Sequence, residues 1–157
     1  MTIGKISGEM LEQNAIYPSI FKPNGLLTYR MQEYVKIIST ASATILAKVS
    51  TNDGTVYYQT ADMTSDVAVN VQADGVELFD SIINVNESMT VVFLFTNGST
   101  AYINNAFQID GIVQTVKWNG GSAPTAGTAN AIDVYSYTIV KTAANTYTVL
   151  GSFSSFA

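Results

Sequence analysis

The chain has 157 residues, neither cysteine nor histidine, 12% charged residues and a net charge of −5. That composition removes disulfides, thiolate metal sites, the commonest general base and metal ligand, and with them Ser-His-Asp and Cys-His catalysis. The length suits one compact domain, or one domain with an arm, able to bury most of its apolar surface without staples.

Residues 1–30 read as an extended or partly helical N-terminal arm. Ser7, followed by Gly8 and EMLEQNA, can cap and open a short helix, its hydroxyl accepting a free amide of the first turn. Beyond it Ile16, Tyr17, Ile20, Phe21, Leu26 and Leu27 fall irregularly around Pro18, Pro23 and Gly25, which break any regular element. A segment this apolar is a poor free tail, because low hydrophobicity is what keeps tails in solution. Its candidate docking residues are Ile6, Met10, Leu11, Ile16, Tyr17, Ile20 and Phe21. They pack either on the chain's own sheet or into a neighbouring chain.

From residue 31 onward the dominant period is two. Runs rich in β-branched and aromatic residues span Glu33 to Ser39, Ala43 to Ser50, Thr55 to Thr60 and Asp66 to Val71. The segment Asp74 to Asn86 is expected to be a loop with at most one helical turn. Thr90 to Phe95 (TVVFLF) is apolar on both faces, which predicts a central strand covered on both sides. Ala101 to Ile109, Ile112 to Trp118 and Thr146 to Gly151 are further strand runs. In the run from Ile132, Asp133, Tyr135, Tyr137, Ile139 and Lys141 share one face, with Val134, Ser136, Thr138 and Val140 on the other. Turn dipeptides sit between runs: Asp53-Gly54, Asn97-Gly98 and Asp110-Gly111, with Ala144-Asn145 a weaker case. Each offers the left-handed backbone that primed hairpin turns need. The prediction is an all-β domain over residues 31–157, an antiparallel meander folded as a β-sandwich or jelly-roll-like pair of sheets.

Candidate sites are few. The loop WNGGSAPTAGTAN begins at the single tryptophan, Trp118. With Asn119, Tyr102 and the tyrosines at 135 and 137, that ring could form a stacking platform for a sugar. The reading with more weight is structural: a single tryptophan at a strand end most often packs, here covering the rim of the sandwich while the glycines let the chain turn. Asp62, Asp66, Asp74 and Asp80 lie in one stretch, yet their spacing does not predict two carboxylates facing each other across a glycosidic bond. Asp62 and Asp66 read as solvated loop residues before a strand. Asn52-Asp53 and Asp62 are oxygen-rich, but no run matches a calcium-binding loop, so no metal is expected. No phosphate-binding loop is present either, and no cofactor is implied. The seven basic residues are scattered, leaving no stripe to neutralise nucleic-acid phosphates. No window reaches the ~18–20 consecutive apolar residues of a membrane helix, and MTIGKISGEM lacks the apolar segment of a signal peptide.

From about Val85 to Ala157 the chain resembles the end module of fibre-like or tail structural proteins from bacteriophages of marine cyanobacteria. The resemblance is carried by the TNGST turn from Thr96, the QIDG turn, the KWNGGSAPTAG loop from Lys117 to Gly127, IDVYSYTIVKTA from Ile132 and the TYTVLGS segment. KISGEMLEQN, from Lys5 to Asn14, is a shorter match to the starts of structural proteins of similar phages. The resemblance implies a non-enzymatic virion component made in a host cytoplasm, with other virion proteins as partners and a homo-oligomer, most often a trimer, as its state. Heptads, collagen-like triplets and solenoid repeats, the marks of a fibre shaft, are missing from the sequence. That leaves a capsid decoration or cement protein, a collar or baseplate adaptor, or a short spike. The alternative is a lectin-like receptor-binding module reading host surface glycans through Trp118. The Asn86-Glu87-Ser88 and Asn97-Gly98-Ser99 sequons are chance matches in such a product.

Overall fold

A computed structural model describes residues 33–50 and 53–157, within a unit running from Glu33 to Ala157. The docking-arm candidates Ile6, Met10, Leu11, Ile16, Tyr17, Ile20 and Phe21, and the helix capped by Ser7, lie outside the described residues.

The strands are β1 (Val35–Ile38), β2 (Thr44–Lys48), β3 (Val56–Gln59), β4 (Val67–Gln72), β5 (Ser88–Thr96), β6 (Asn104–Ile109), β7 (Ile112–Val113), β8 (Val116–Trp118), β9 (Ile132–Ala143) and β10 (Thr146–Phe156). One helical turn, α1 (Phe79–Ile82), lies between β4 and β5. A six-stranded sheet has the order β1-β3-β5-β9-β10-β8, and a four-stranded sheet the order β2-β4-β6-β7. From β1 to β6 the chain changes sheet at every strand, so odd strands line up in one layer and even strands in the other. The neighbours so formed are parallel: Val35 pairs Val56, Val56 pairs Val92, and Ile45 pairs Val69. Antiparallel pairing enters with the β6–β7 turn and the long β9–β10 hairpin, whose β9 also runs against β5. Strand β8 closes the larger sheet parallel to β10.

The chain is thus predominantly β, in two mixed sheets, and the antiparallel meander is corrected. Two of the expected hairpins are crossovers between layers. At Asp53-Gly54 only the glycine takes a positive φ, of 71°. At Asn97-Gly98 neither residue does, so no primed turn forms there. The Asn97 side chain spans the corner instead: its Oδ1 accepts the Tyr102 amide at 3.0 Å and its Nδ2 donates to the Tyr102 carbonyl at 3.2 Å. Where both residues are left-handed, at Asp110 (φ 49°) and Gly111 (φ 80°), the hairpin does form. Asn145 (φ 52°) turns β9 into β10, with a register shift between Thr146 and Tyr147. The run from Ile112 to Trp118 splits into β7 and β8, which belong to different sheets.

Strand β5 is central, as its composition suggests, but it is not covered equally. Val91, Phe93 and Phe95 are buried, while Val92 and Leu94 point out and are half-exposed. The two sheets share one core, in which Tyr57, Phe93, Phe95, Tyr135 and Tyr137 face Val67, Val69, Val71, Phe107 and Ile109. Phe107 and Tyr137 meet across the layers with ring centroids 4.2 Å apart. The Tyr137 hydroxyl donates to Asn104 Oδ1, and Asn104 Nδ2 donates to the Val67 carbonyl at 2.8 Å, which joins both sheets through a satisfied polar pair.

The buried row of β9 starts with a carboxylate, Asp133, and ends with an ammonium, Lys141, each under a tenth exposed. Lys141 Nζ is met by Asp80 Oδ1 at 2.8 Å and by the carbonyls of Asp80 (2.6 Å) and Ile83 (3.0 Å) at the end of α1. Asp80 Oδ1 also accepts the Asn145 amide at 2.7 Å and the Tyr147 hydroxyl at 3.0 Å, fastening α1 to the β9–β10 turn. Lys141 in particular, then the Asn145 amide and Tyr147, hold the Asp80 carboxyl below the usual carboxylate range.

Replacing Lys141 by Met should lower unfolding stability, since it takes the counter-charge from Asp80 and the donor from the Asp80 and Ile83 carbonyls. Urea denaturation of the two proteins measures it, and an unchanged midpoint would show that the pair is dispensable. Because the folded Asp80 pKa lies below its unfolded value, the stabilisation is complete above roughly pH 4 and fades as pH falls through the folded pKa. Asp80→Asn should flatten the loss of stability on acidification below that pH.

Candidate functional site

Trp118 ends β8 beside β10 and is half-buried. Its ring packs edge-on against Tyr137, with centroids 5.7 Å apart, and against Tyr135 at 6.4 Å. Both tyrosines are fully buried, and burial pushes the Tyr135 phenol up to about 12. The three rings meet as a core wedge and not as an open platform. Gly151 allows this approach: a Cβ there would lie 3.0 Å from the indole and 2.5 Å from Val116 Cγ1. The remaining indole surface borders two spaces. One is a cleft of about 220 Å³ between the sheets, where Asn105, Gln114 and Pro124 also contribute. The other is a shallow groove of about 390 Å³ shared with Lys117, Asn119, Ser136, Thr138 and Leu150. Asn119 thus stays with Trp118, whereas Tyr102 borders a different space, beside Asp62.

Gly151→Ala should cost about 1–3 kcal/mol by overpacking and shift the fluorescence of the single tryptophan. An unaltered emission spectrum would mean that Trp118 is not seated on this glycine.

The other corner of the larger sheet is organised by Asp133. Its Oδ2 accepts Asn97 Nδ2 at 2.9 Å and the Thr128 amide at 3.0 Å, while Oδ1 has no hydrogen-bond partner among the described residues. The loop before β9 passes so near that a Cβ on Gly127 would collide with the Tyr102 carbonyl. Backbone bonds hold three segments together here: Asn97 N to Ala131 O at 2.9 Å, Asn130 N to Gly98 O at 2.8 Å, and Met63 N to Thr96 O at 2.9 Å.

Outside that clamp stands Asp62, an exposed residue between two clefts. The first, about 340 Å³, is bordered by Thr96, Gly98, Asn130, Ile132 and Phe156. The second, about 240 Å³, is bordered by Thr64, Gly98, Ser99, Thr100 and Tyr102. Asp62 packs directly on Gly98, where a Cβ would lie 2.6 Å from its carboxylate oxygen. Two other acids of that stretch serve the backbone. Asp66 Oδ1 accepts the Ile103 amide, and Asp74 Oδ1 accepts the Val76 and Glu77 amides, which hold its carboxyl below the usual range. Among the described residues no group of three acidic, His or Cys side chains is placed to hold a metal ion, and no helix is long and apolar enough to cross a membrane.

The outer face of the six-stranded sheet carries apolar side chains as well. Register aligns Val35, Val56 and Val92 in one outward row, and Ile37, Tyr58, Leu94 and Val134 in the next. Val35 and Ile37 are exposed, and the others are half-exposed.

No protein-family model, curated protein or solved structure matches the chain.

Proposed function

We propose that the chain is a non-enzymatic structural component of a bacteriophage virion: a capsid decoration or cement protein, a collar or baseplate adaptor, or a short spike. It assembles through residues 1–30 and through the β-domain. We read that domain as a sandwich in which parallel winding replaces the antiparallel jelly-roll order. The virion context rests on the sequence resemblance; the observation that supports an assembly role is the pair of outward apolar rows, Val35-Val56-Val92 and Ile37-Tyr58-Leu94-Val134, laid across four adjacent strands. Contiguous apolar surface on a folded domain marks a contact surface, because leaving it in water forfeits the hydrophobic free energy its burial would release. The core beneath is a continuous aromatic packing, suited to a rigid building block. Copies of the chain are the natural first partners, in closed cyclic symmetry, with a trimer favoured by the resemblance to phage appendages, and other virion proteins complete the contacts.

Light scattering on the full chain should give an oligomer mass that falls to the monomer in Leu94→Lys, with an unchanged circular dichroism spectrum. The same variant should fail to enter particles in a complementation assay. A wild type that is monomeric at all concentrations, together with a Leu94→Lys variant that enters particles as well as the wild type does, would refute the role of this face.

A further inference from the structure

We propose that the two clefts meeting at Asp62 form a binding site for a neutral oligosaccharide, separate from Trp118 and bordering the apolar outer face, whose next row is Thr96-Ile132-Phe156. The parts match what a sugar presents. Asp62 is exposed and has no hydrogen-bond or salt-bridge partner among the described residues, so its carboxylate can accept from two neighbouring hydroxyls at once. Asn130 is exposed beside the same cleft, and its carboxamide both donates and accepts, as a hydroxyl does. Phe156, 64% exposed and paired with Ile132, offers an aromatic face to the C–H side of a pyranose ring.

The larger cleft, about 340 Å³, falls in the ~300–1,000 Å³ range of small-molecule sites. The second cleft continues past Asp62 and Gly98 and is edged by the hydroxyl residues Thr64, Ser99 and Thr100. A ligand with a repeating polar unit, one unit on each side of the carboxylate, fits that pair better than a compact one. Gly98 makes the join: any side chain there would displace the Asp62 carboxylate lying against it. The site is also preorganised, since the bonds from Asn97 to Ala131, from Asn130 to Gly98 and from Met63 to Thr96 fix the segments carrying it. Little ordering entropy is then lost on binding. The single carboxylate also makes a cationic ligand the principal competitor, and its binding would be salt-sensitive where that of a neutral sugar is not.

Saturation-transfer NMR on the full chain with maltotriose, mannotriose and lactose, followed by titration calorimetry of the best binder, tests the proposal. The expected result is binding that persists in 0.5 M sodium chloride and weakens about tenfold or more in both Asp62→Ala and Phe156→Ala, a loss of about 1.4 kcal/mol. Both positions are exposed, and circular dichroism verifies that the variants remain folded. Three results would overturn it: no binding of any of these sugars at millimolar concentration, binding unchanged in both variants, or binding lost only in Trp118→Ala. Binding restricted to a cationic probe such as a lysine oligomer, and abolished by salt, would overturn it as well.

Discussion

The architecture depends on the buried face of β9, a row that runs from Asp133 through Tyr135, Tyr137 and Ile139 to Lys141. Of the side chains in the middle of the row, Ile139 needs only apolar neighbours, while Tyr137 packs on Phe107 of the facing sheet and donates its hydroxyl to Asn104. A charge buried at each end needs partners, because an ion taken out of water unpaired is among the most unfavourable things a fold can contain. The partners come from segments remote in sequence: Asn97 and Thr128 at Asp133, and Asp80 with the end of α1 at Lys141. These two sets of partners, hydrogen-bond donors at Asp133 and a counter-charge with two carbonyls at Lys141, position the irregular parts of the domain. The Asn97 corner and the loop before β9 close on one charge, and α1 with the β9–β10 turn closes on the other. The clefts around Asp62 lie on the outer side of the first closure and take their rigidity from it.

Strand positions and the sharing of faces along β9 were legible in the sequence, since period-two alternation states directly which side chains lie together, but not which face is buried. The partners of the strands were not. An Asp-Gly or Asn-Gly pair between two β runs announces a change of direction, but the same pair serves a hairpin or a passage to the opposite sheet. At Asp110-Gly111 both residues adopt the left-handed backbone and the hairpin results. At Asn97-Gly98 the asparagine amide is committed to Tyr102 and Asp133, and the chain crosses. The expected double covering of β5 failed for a related reason. Apolar residues on both faces of a strand equally describe a central buried strand and a strand whose second face awaits another molecule.

The candidate site divides in the same way. Trp118 stood out as the single tryptophan beside a glycine-rich loop, and its double reading persists in the fold: most of the ring is wedged against Tyr135 and Tyr137, and the rest borders solvent-accessible space. Asp62, weighed as an acid and as a calcium ligand, read in the sequence as a solvated loop residue. Its neighbours Gly98, Asn130 and Phe156 are far apart along the chain, and topology alone gathers them, so no local motif could have marked the place. The outward rows were partly visible, in the alternate apolar residues of VKII, VYYQ and TVVFLF, but their alignment across strands required the register.

The parallel winding from β1 to β6 also bears on how the chain reaches its native state. Each parallel contact joins residues separated by an intervening strand in the other layer: Val56, for instance, must find Val92. None of these pairs can form until long stretches of chain have been ordered, and such non-local pairing slows folding. The β9–β10 hairpin, closed by a two-residue turn, has no such delay. The topology therefore favours growth from β9 and β10 toward β5, with β1 and β2 secured last. Amide-exchange protection appearing in that order would be its signature. During that interval the edges that later pair within the chain remain open, so the time spent folding is also the time in which two chains can exchange or entangle strands.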